Sequence, residues 1–293
     1  MIKVLVIGGT GMLGHKLVQR LADAFIVFST VRGTYESVAE YRIFDPDRTI
    51  ERIDVTALID VERALSISEP DVVINCTGVV KQVPGARDVV HTLDINSILP
   101  HRLHELSLRY GFRLVLISTD CVFRGDRGHY SEADTPDATD LYGRSKVLGE
   151  IDARNTVTIR TSLVGRELET SHGLIERFLS SRKGTINGYR KAIFSGFPTI
   201  VFADIIKDLL HVWPGLCGIF HVSSDPIDKY SLLCLANEAF QAGIEIKPDD
   251  SLAIDRSLDS SRFRRITGFS PTVWEKMVER MAADPTPYDE WRK

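Results

Sequence analysis

The chain has 293 residues, 43% hydrophobic and 26% charged, with a formal net charge of −4. That balance supports a globular protein with a substantial core and room for two lobes, and it excludes partners held by bulk positive charge, such as nucleic acid or an anionic membrane surface. The four cysteines, Cys76, Cys121, Cys217 and Cys234, stand singly, without CxxC spacing or the density of a disulfide-stapled secreted domain, which suits a reducing cytoplasm. Residues 1–7 lack the basic flank and cleavage site of a signal peptide, and no apolar stretch reaches the ~18 to 20 residues that cross a bilayer.

In chain order, apolar β-rich runs at residues 2–7, 25–29, 50–54, 72–76, 114–118 and 157–160 alternate with amphipathic segments near 11–22, 56–68, 92–109 and 142–153. Near-continuous apolar strands separated by helices predict a parallel sheet covered on both faces, a doubly wound α/β fold. Past about residue 165 the alternation breaks up at Gly173, Gly184, Gly188, Gly196, Pro198, Pro214, Gly215 and Gly218, which predicts a smaller lobe, with a further strand at 217–223 and a helix at 228–242. The expected organisation is a dinucleotide-binding domain over 1–165 and a substrate-binding lobe over 166–293, with parts of about 199–240 returning to the first domain.

Directly after the first apolar run come Gly8, Gly9, Thr10, Gly11, Met12, Leu13 and Gly14. They satisfy both GxGxxG and GxxGxxG, with a strand before and a helix after. Glycines let the backbone approach a pyrophosphate, whose charge the helix N-terminus favours, so this is the phosphate-binding turn of a Rossmann dinucleotide site. An NAD site would carry Asp or Glu at the end of the second strand. Here Thr30, Val31 and Arg32 follow that strand, and no acid comes before Glu36. A guanidinium at this place pairs with a 2′-phosphate, so NADPH is the expected cofactor and NADH the alternative. Asp54 and Val55 follow the third strand, where they would frame the adenine, although Asp54 equally fits a helix N-cap.

Tyr142 and Lys146 form a YxxxK spacing, one helical turn apart on one face. Chance supplies such a spacing often, and the context gives it weight: Ser118, Thr119 and Asp120 close a predicted central strand, where open α/β sheets bind ligands. The expected chemistry is ketone reduction. Lys146 would lower the Tyr142 phenol toward operating pH, a hydroxyl of Thr119 or Ser118 would hold the carbonyl oxygen, and Tyr142 would protonate the alkoxide formed as hydride leaves the nicotinamide. Asn96 would hydrogen-bond backbone or a relay water, or else be a surface amide. His172 and His221 have no partners at metal-ligand spacing, so no metal site is expected.

GGTGMLG at 8–14, STDCVFRG at 118–125, YSEADTPDATDLYGRSKVLGE at 130–150 and IRTSLVG at 159–165 together resemble the dTDP-4-dehydrorhamnose reductase branch of the extended short-chain dehydrogenases, most distinctly over the first 165 residues. The resemblance implies NADPH-dependent reduction of the 4-keto group of a 6-deoxy nucleotide sugar in polysaccharide precursor synthesis. It implies Thr119, Tyr142 and Lys146 as a catalytic triad, Lys146 touching the nicotinamide ribose. Cofactor contacts are expected from Cys76, Thr77, Gly78, Asn96 and Ser118 besides the glycine turn, and substrate contacts from Val80, Lys81, Asp120, Cys121, Arg166 and Lys191.

One position departs from the family, which commonly has Tyr where this chain has Cys121. Related 4,6-dehydratases carry Glu there, and a thiol replaces that carboxylate poorly, so dehydration is disfavoured and Cys121 reads as a small residue packed under the site. In the second lobe, Arg182, Lys183, Asn187, Tyr189, Arg190 and Lys191 would meet the diphosphate or solvent, and Asp225, Pro226 and residues 260–263 resemble features of the family's tail. The expected partners are the nucleotide-sugar substrate and, as an assembly, a second copy in a homodimer. Two alternatives stand beside the reductase: an epimerase that recycles bound NAD(P), and a non-catalytic regulatory subunit like the methionine adenosyltransferase β subunit of the same superfamily.

Overall fold

The computed structural model of the protein describes residues 1–81, 87–182 and 184–291. In the first half the strands are β1 (Lys3–Ile7), β2 (Ile26–Thr30), β3 (Thr49–Ile50), β4 (Val72–Asn75), β5 (Arg113–Thr119) and β6 (Thr156–Thr161). Between them lie helices α1 (Gly14–Leu21), α2 (Leu58–Ser68), α3 (Val89–Leu93), α4 (Leu99–Tyr110) and α5 (Leu141–Leu148). The second half holds β7 (Leu163–Val164), α6 (Leu174–Ser180), β8 (Thr185–Tyr189), β9 (Ala192–Phe194), β10 (Phe197–Pro198), α7 (Thr199–His211) and β11 (Gly218–His221). It ends with β12 (Ile227–Asp228), α8 (Lys229–Ala239), β13 (Glu245–Asp249), β14 (Ile254–Asp255), α9 (Ser261–Thr267) and α10 (Trp274–Ala282).

Among the described residues, seven parallel strands form one sheet in the order β3-β2-β1-β4-β5-β6-β11. The chain winds outward from β1 in one direction and from β4 in the other, so the strand order reverses between them and a crevice opens at their carboxyl ends. Alternation along β1 explains why its run is apolar throughout: Val4 and Val6 enter the core that includes Leu17, Val18 and Leu21 of α1, whereas Leu5 and Ile7 enter the core that includes Val61 and Leu65 of α2 and Leu103 of α4. The second half returns to this layer, for β11 closes the sheet beside β6 and α7 lies against α1. The remaining short strands pair as β7 with β10, β8 with β13, and β9 with β12 and β14.

Three expectations shift, the first being the helix expected at 142–153, which stops at Leu148 with Gly149 as its C-cap. The strand expected at 50–54 stops at Ile50, because Arg52 takes a positive φ of 53° and the chain turns back, Ile53 N donating to the Val31 carbonyl at 3.1 Å. The helix expected at 92–109 begins at Val89, capped by Asp88, and contains a π-turn over Asp94–Ile98. Pro100 lacks the amide that would bond the Asn96 carbonyl in an α-helix. That carbonyl faces Gly149 instead, where a Cβ would lie 2.0 Å from it.

The turn after β1 is equally tight. A Cβ on Gly14 would stand 2.0 Å from the Gly8 carbonyl oxygen, so α1 seats against the turn only with glycine there. Gly14→Ala is expected to lower the unfolding free energy by about 1–3 kcal/mol, read from urea midpoints; an unchanged midpoint would contradict the close approach.

Candidate active site

The crevice holds a cavity of about 680 Å³, within the range of cofactor and small-ligand sites. One wall is the backbone of Thr10, Gly11, Met12 and Leu13. The turn is tied to the end of β2, with Gly8 N donating to Thr30 Oγ1 at 3.1 Å and Gly9 N to the Thr30 carbonyl at 3.0 Å. A Cβ on Gly11 would meet only the Gly8 carbonyl, at an ordinary 3.4 Å. The protein itself leaves room for a side chain there, and the lining of the cavity by Gly11 makes the space a cradle that a Cβ would fill.

The floor is formed by Cys76, Thr77 and Gly78 after β4. Asn96, 1% exposed, braces the adjoining loop: it accepts from Val79 N at 2.9 Å, donates to the Val79 carbonyl at 3.0 Å and donates to Ser145 Oγ at 3.0 Å. It is a buried strut between this loop and α5, with no surface role.

Asp140 caps α5 by accepting from Gly143 N at 3.0 Å. On the face toward β5, Lys146 is buried and donates to the Ile117 carbonyl at 2.8 Å. Burial lowers its ammonium to about 8, against the raising influence of Glu150 and Cys76. The Tyr142 phenol, within hydrogen-bonding reach of the Thr119 hydroxyl, is raised above its ordinary value by burial, then by Cys121, Asp120 and Asp140. The expected net lowering of the phenol is therefore corrected: burial outweighs the pull of any neighbouring cation, the Lys146 ammonium donates to Ile117, and the cation over the Tyr142 ring is Lys81, 5.8 Å from the centroid and paired with Asp140 at 2.7 Å.

Thr119 and Ser118 also part company. Thr119 Oγ1 accepts from Cys121 N at 3.1 Å, donates to Asp120 Oδ1 at 3.2 Å and lines the cavity with Tyr142, whereas Ser118 donates to Glu150 at 2.6 Å. Glu150 in turn forms a buried bidentate pair with Arg160, at 2.8 and 2.7 Å. Arg160 Nη1 donates to His221 Nε2 at 3.2 Å, and the Tyr130 carbonyl, which can only accept, takes the Nδ1 proton at 2.9 Å. Burial and Arg160 hold His221 down to about 4, so it is neutral. Thr161, whose Oγ1 is buried without a hydrogen-bond partner, also lines the cavity.

Val80, Lys81, Asp120 and Cys121 line the other end, joined by Lys229 and Arg256, which the sequence did not single out. Arg256 donates to the Phe123 carbonyl at 2.8 Å. Burial lowers Lys229 against the raising influence of Asp120, with Arg256 and Lys81 adding to the lowering, and burial raises Asp120 against Arg256. Cys121 is pushed up to about 12 by burial and by Asp120, so the thiol stays protonated. Lys229 opens α8 directly after its capping Asp228. A cation in a first helical turn runs against the helix dipole, and that was the signal available.

Several expected residues lie elsewhere. Arg166 is buried and paired with Glu176 at 2.7 Å and Asp289 at 2.5 Å, away from the cavity lining. Lys191 is exposed, and the lining begins at the next residue, Ala192. Asp54 is exposed and accepts from Thr56 N at 3.0 Å, while Ala57 precedes α2, so Asp54 caps a turn and neither it nor Val55 lines the cavity. Arg32 is exposed at the rim, close enough to act electrostatically on Asp54 and on Glu169, a lining residue. Arg190 pairs with Asp250, Arg182 with Asp289, and Asn187 donates to Asp249, all at the surface; Tyr189 is half-buried and Lys183 lies outside the described residues. Among the described residues no group of three or more His, Cys, Asp or Glu side chains is arranged to hold a metal, and no helix is long and apolar enough to cross a membrane.

The family model described as "RmlD substrate binding domain" matches residues 2–286. The chain is 30% identical, over 299 residues, to a Streptomyces antibioticus protein named "Probable dTDP-4,6-dihydroxy-2-methyloxan-3-one 4-ketoreductase", covering 98% of this chain and 88% of that protein. It is 22% identical, over 317 residues, to methionine adenosyltransferase 2 subunit beta of Mus musculus, covering 95% of this chain and 89% of that protein. Its fold is similar to the crystal structure of dTDP-4-dehydrorhamnose reductase from Bacillus anthracis in complex with NADP, with a TM-score of 0.78 and 22% identity, covering 96% of this chain and 98% of that one.

Burial of Lys146 has a consequence for stability. Its folded value of about 8 lies below the ordinary 10.5, so across that window the folded state has released the proton while the unfolded state still holds it. Stability relative to Lys146→Met is expected to rise from about pH 8 to about 10.5, measured by paired urea titrations; a difference independent of pH would contradict the buried ammonium.

Proposed function

The chain belongs to the RmlD substrate binding domain family, and from that premise we propose that it is an NADP(H)-dependent reductase of the 4-keto group of a nucleotide-linked sugar, supplying polysaccharide precursors. The observation that carries this is the convergence of Thr119, Tyr142 and Lys146 on one cavity with the glycine turn. The cavity fits a dinucleotide on two counts: the cradle at Gly11 and the unpartnered hydroxyl of Thr161. Residues 10–13 would hold the pyrophosphate, Arg32 the 2′-phosphate, and Cys76, Thr77, Gly78, Lys146 and Thr161 the nicotinamide half. NADH is the alternative cofactor.

When bound, the cofactor supplies the hydride that the ketone carbon accepts. Tyr142, kept protonated by burial, gives its proton to the carbonyl oxygen as charge develops there. An alkoxide is a stronger base than a phenolate, so a raised phenol still acts as the acid. Thr119, turning its hydroxyl from Asp120, holds the same oxygen, and Lys146, mostly charged at neutral pH with a value of about 8, offsets the phenolate left behind. Asp120 and Cys121 border the sugar, with Lys81, Lys229 and Arg256 facing its diphosphate. A protonated Cys121 provides no base for removing a sugar C5 proton, which argues against dehydration. The Streptomyces relative, named as a probable 4-ketoreductase, supports the assignment, and the intact Tyr142–Lys146 face favours it over a non-catalytic role like that considered for the methionine adenosyltransferase 2 subunit beta relative. The same proposal puts the protein in the cytoplasm, as a homodimer.

With NADPH and a panel of 4-keto nucleotide sugars, the pure protein is expected to consume the absorbance of the reduced nicotinamide. Tyr142→Phe should slow this by about 10²- to 10⁴-fold with dinucleotide affinity retained. No turnover with any sugar would remove the proposal, and tightly copurified cofactor with isomerised sugar would replace it by an epimerase. Lys229→Met is expected to raise KM for the nucleotide sugar about tenfold with little change in kcat; an unchanged KM would exclude Lys229 from the diphosphate.

A further inference from the structure

We propose that the C-terminal segment sets the geometry of the phosphate-binding turn through a hydrogen-bonded chain from Tyr288 through His15 to the Gly11 carbonyl. The proposal rests on the dinucleotide role of the cavity.

Beyond α10 the chain runs back across α1. Tyr288, 2% exposed, lies with its hydroxyl 2.7 Å from His15 Nε2, and His15 Nδ1 lies 2.8 Å from the Gly11 carbonyl oxygen. A carbonyl only accepts, so Nδ1 carries a proton. Burial, aided by Asp284, raises the Tyr288 phenol above its ordinary value, so the hydroxyl stays protonated within hydrogen-bond distance of Nε2. The two bonds make one chain: the Tyr288 hydroxyl is bonded to His15 Nε2, and His15 Nδ1 donates to the Gly11 carbonyl.

The Gly11 carbonyl also accepts the His15 backbone N–H at 3.1 Å. Two donors from one residue thus hold this carbonyl toward α1. Because the peptide unit is planar and trans, a carbonyl held toward the helix turns the Met12 N–H the opposite way, and Met12 lines the cavity. An N–H aimed at the cavity is the group that meets a pyrophosphate oxygen. Tyr288 is thereby a positioning residue, one step removed from the groups that touch cofactor.

The segment is anchored by more than apolar contact. Asp284 forms a buried pair with Lys16 at 2.5 Å, their side chains 7% and 3% exposed. Thr286 Oγ1 accepts from Lys16 at 2.8 Å and from Gln19 at 3.1 Å. Asp289 accepts from Arg166, whose guanidinium lies 4.8 Å from the centre of the Tyr288 ring. Arg166, expected at the substrate, instead clamps this segment. Burying an ion pair is an inefficient way to cover a helix, whereas it fixes one position of the Tyr288 hydroxyl over His15.

Tyr288→Phe keeps the ring and removes the hydroxyl. Its dissociation constant for NADPH, measured by titration calorimetry, is expected to be about 3- to 10-fold weaker than that of the unsubstituted protein, with KM for NADPH rising by the same factor and kcat at saturating cofactor retained. His15→Leu should weaken binding at least as much, and the double substitution no further than His15→Leu alone, because both cut one chain. Unchanged affinity in Tyr288→Phe, additive losses in the double substitution, or a lowered thermal midpoint with affinity intact would each overturn the inference and leave the reductase proposal standing. An unsubstituted protein that binds neither NADPH nor NADH would overturn both.

Discussion

A lysine ammonium buried beneath the carboxyl ends of a parallel sheet is the interaction on which the site depends. Lys146 donates to the Ile117 carbonyl on β5, and a buried charge is tolerated only where such partners are held in place. The holding is done by close backbone approach. A Cβ on Gly143 would stand 2.3 Å from the Cys121 carbonyl and one on Gly149 would stand 2.0 Å from the Asn96 carbonyl. Ser97 Oγ adds a bond to the Ser145 carbonyl at 2.8 Å. With α5 pressed onto its neighbours at both ends, the backbone that carries Tyr142 and Lys146 is fixed beside Thr119.

The same logic connects the two halves of the chain. Glu150 follows α5, receives the Ser118 hydroxyl and pairs with Arg160 of β6, which reaches His221 of β11. Neutral His221 adds no further charge beside Arg160. The last strand of the sheet therefore meets α5 through a buried polar chain, in which each group has a partner. At the opposite edge the C-terminal segment grips α1, so the two walls of the crevice are braced by contacts distant in sequence.

How much of this was legible before the coordinates depended on the range of the interaction. Strands buried on both faces appear as apolar runs, so β1, β4, β5 and β6 stood out, and the helical period put Tyr142 and Lys146 on one face. The truncation of β3 did not, because it turns on a single positive φ at Arg52. Hydroxyl direction was hidden as well: Ser118 and Thr119 are adjacent and chemically alike, and only Glu150, 32 residues on, separates their roles. Arg166 looked available for substrate because Asp289, its partner, lies 123 residues away. Lys229 and Arg256 reach the cavity from the second half, where no local motif announces them.

Family membership narrows the chemistry without fixing it, since one fold serves reductases and regulatory subunits alike, and the difference lies in the site. The account is tested most directly by isotope transfer. NADPH carrying deuterium at its transferable position, incubated with the protein and a 4-keto nucleotide sugar, should leave one deuterium on C4 of the sugar for each cofactor oxidised. Sugar product without deuterium at C4, or label that returns to the cofactor with no net oxidation, would contradict it.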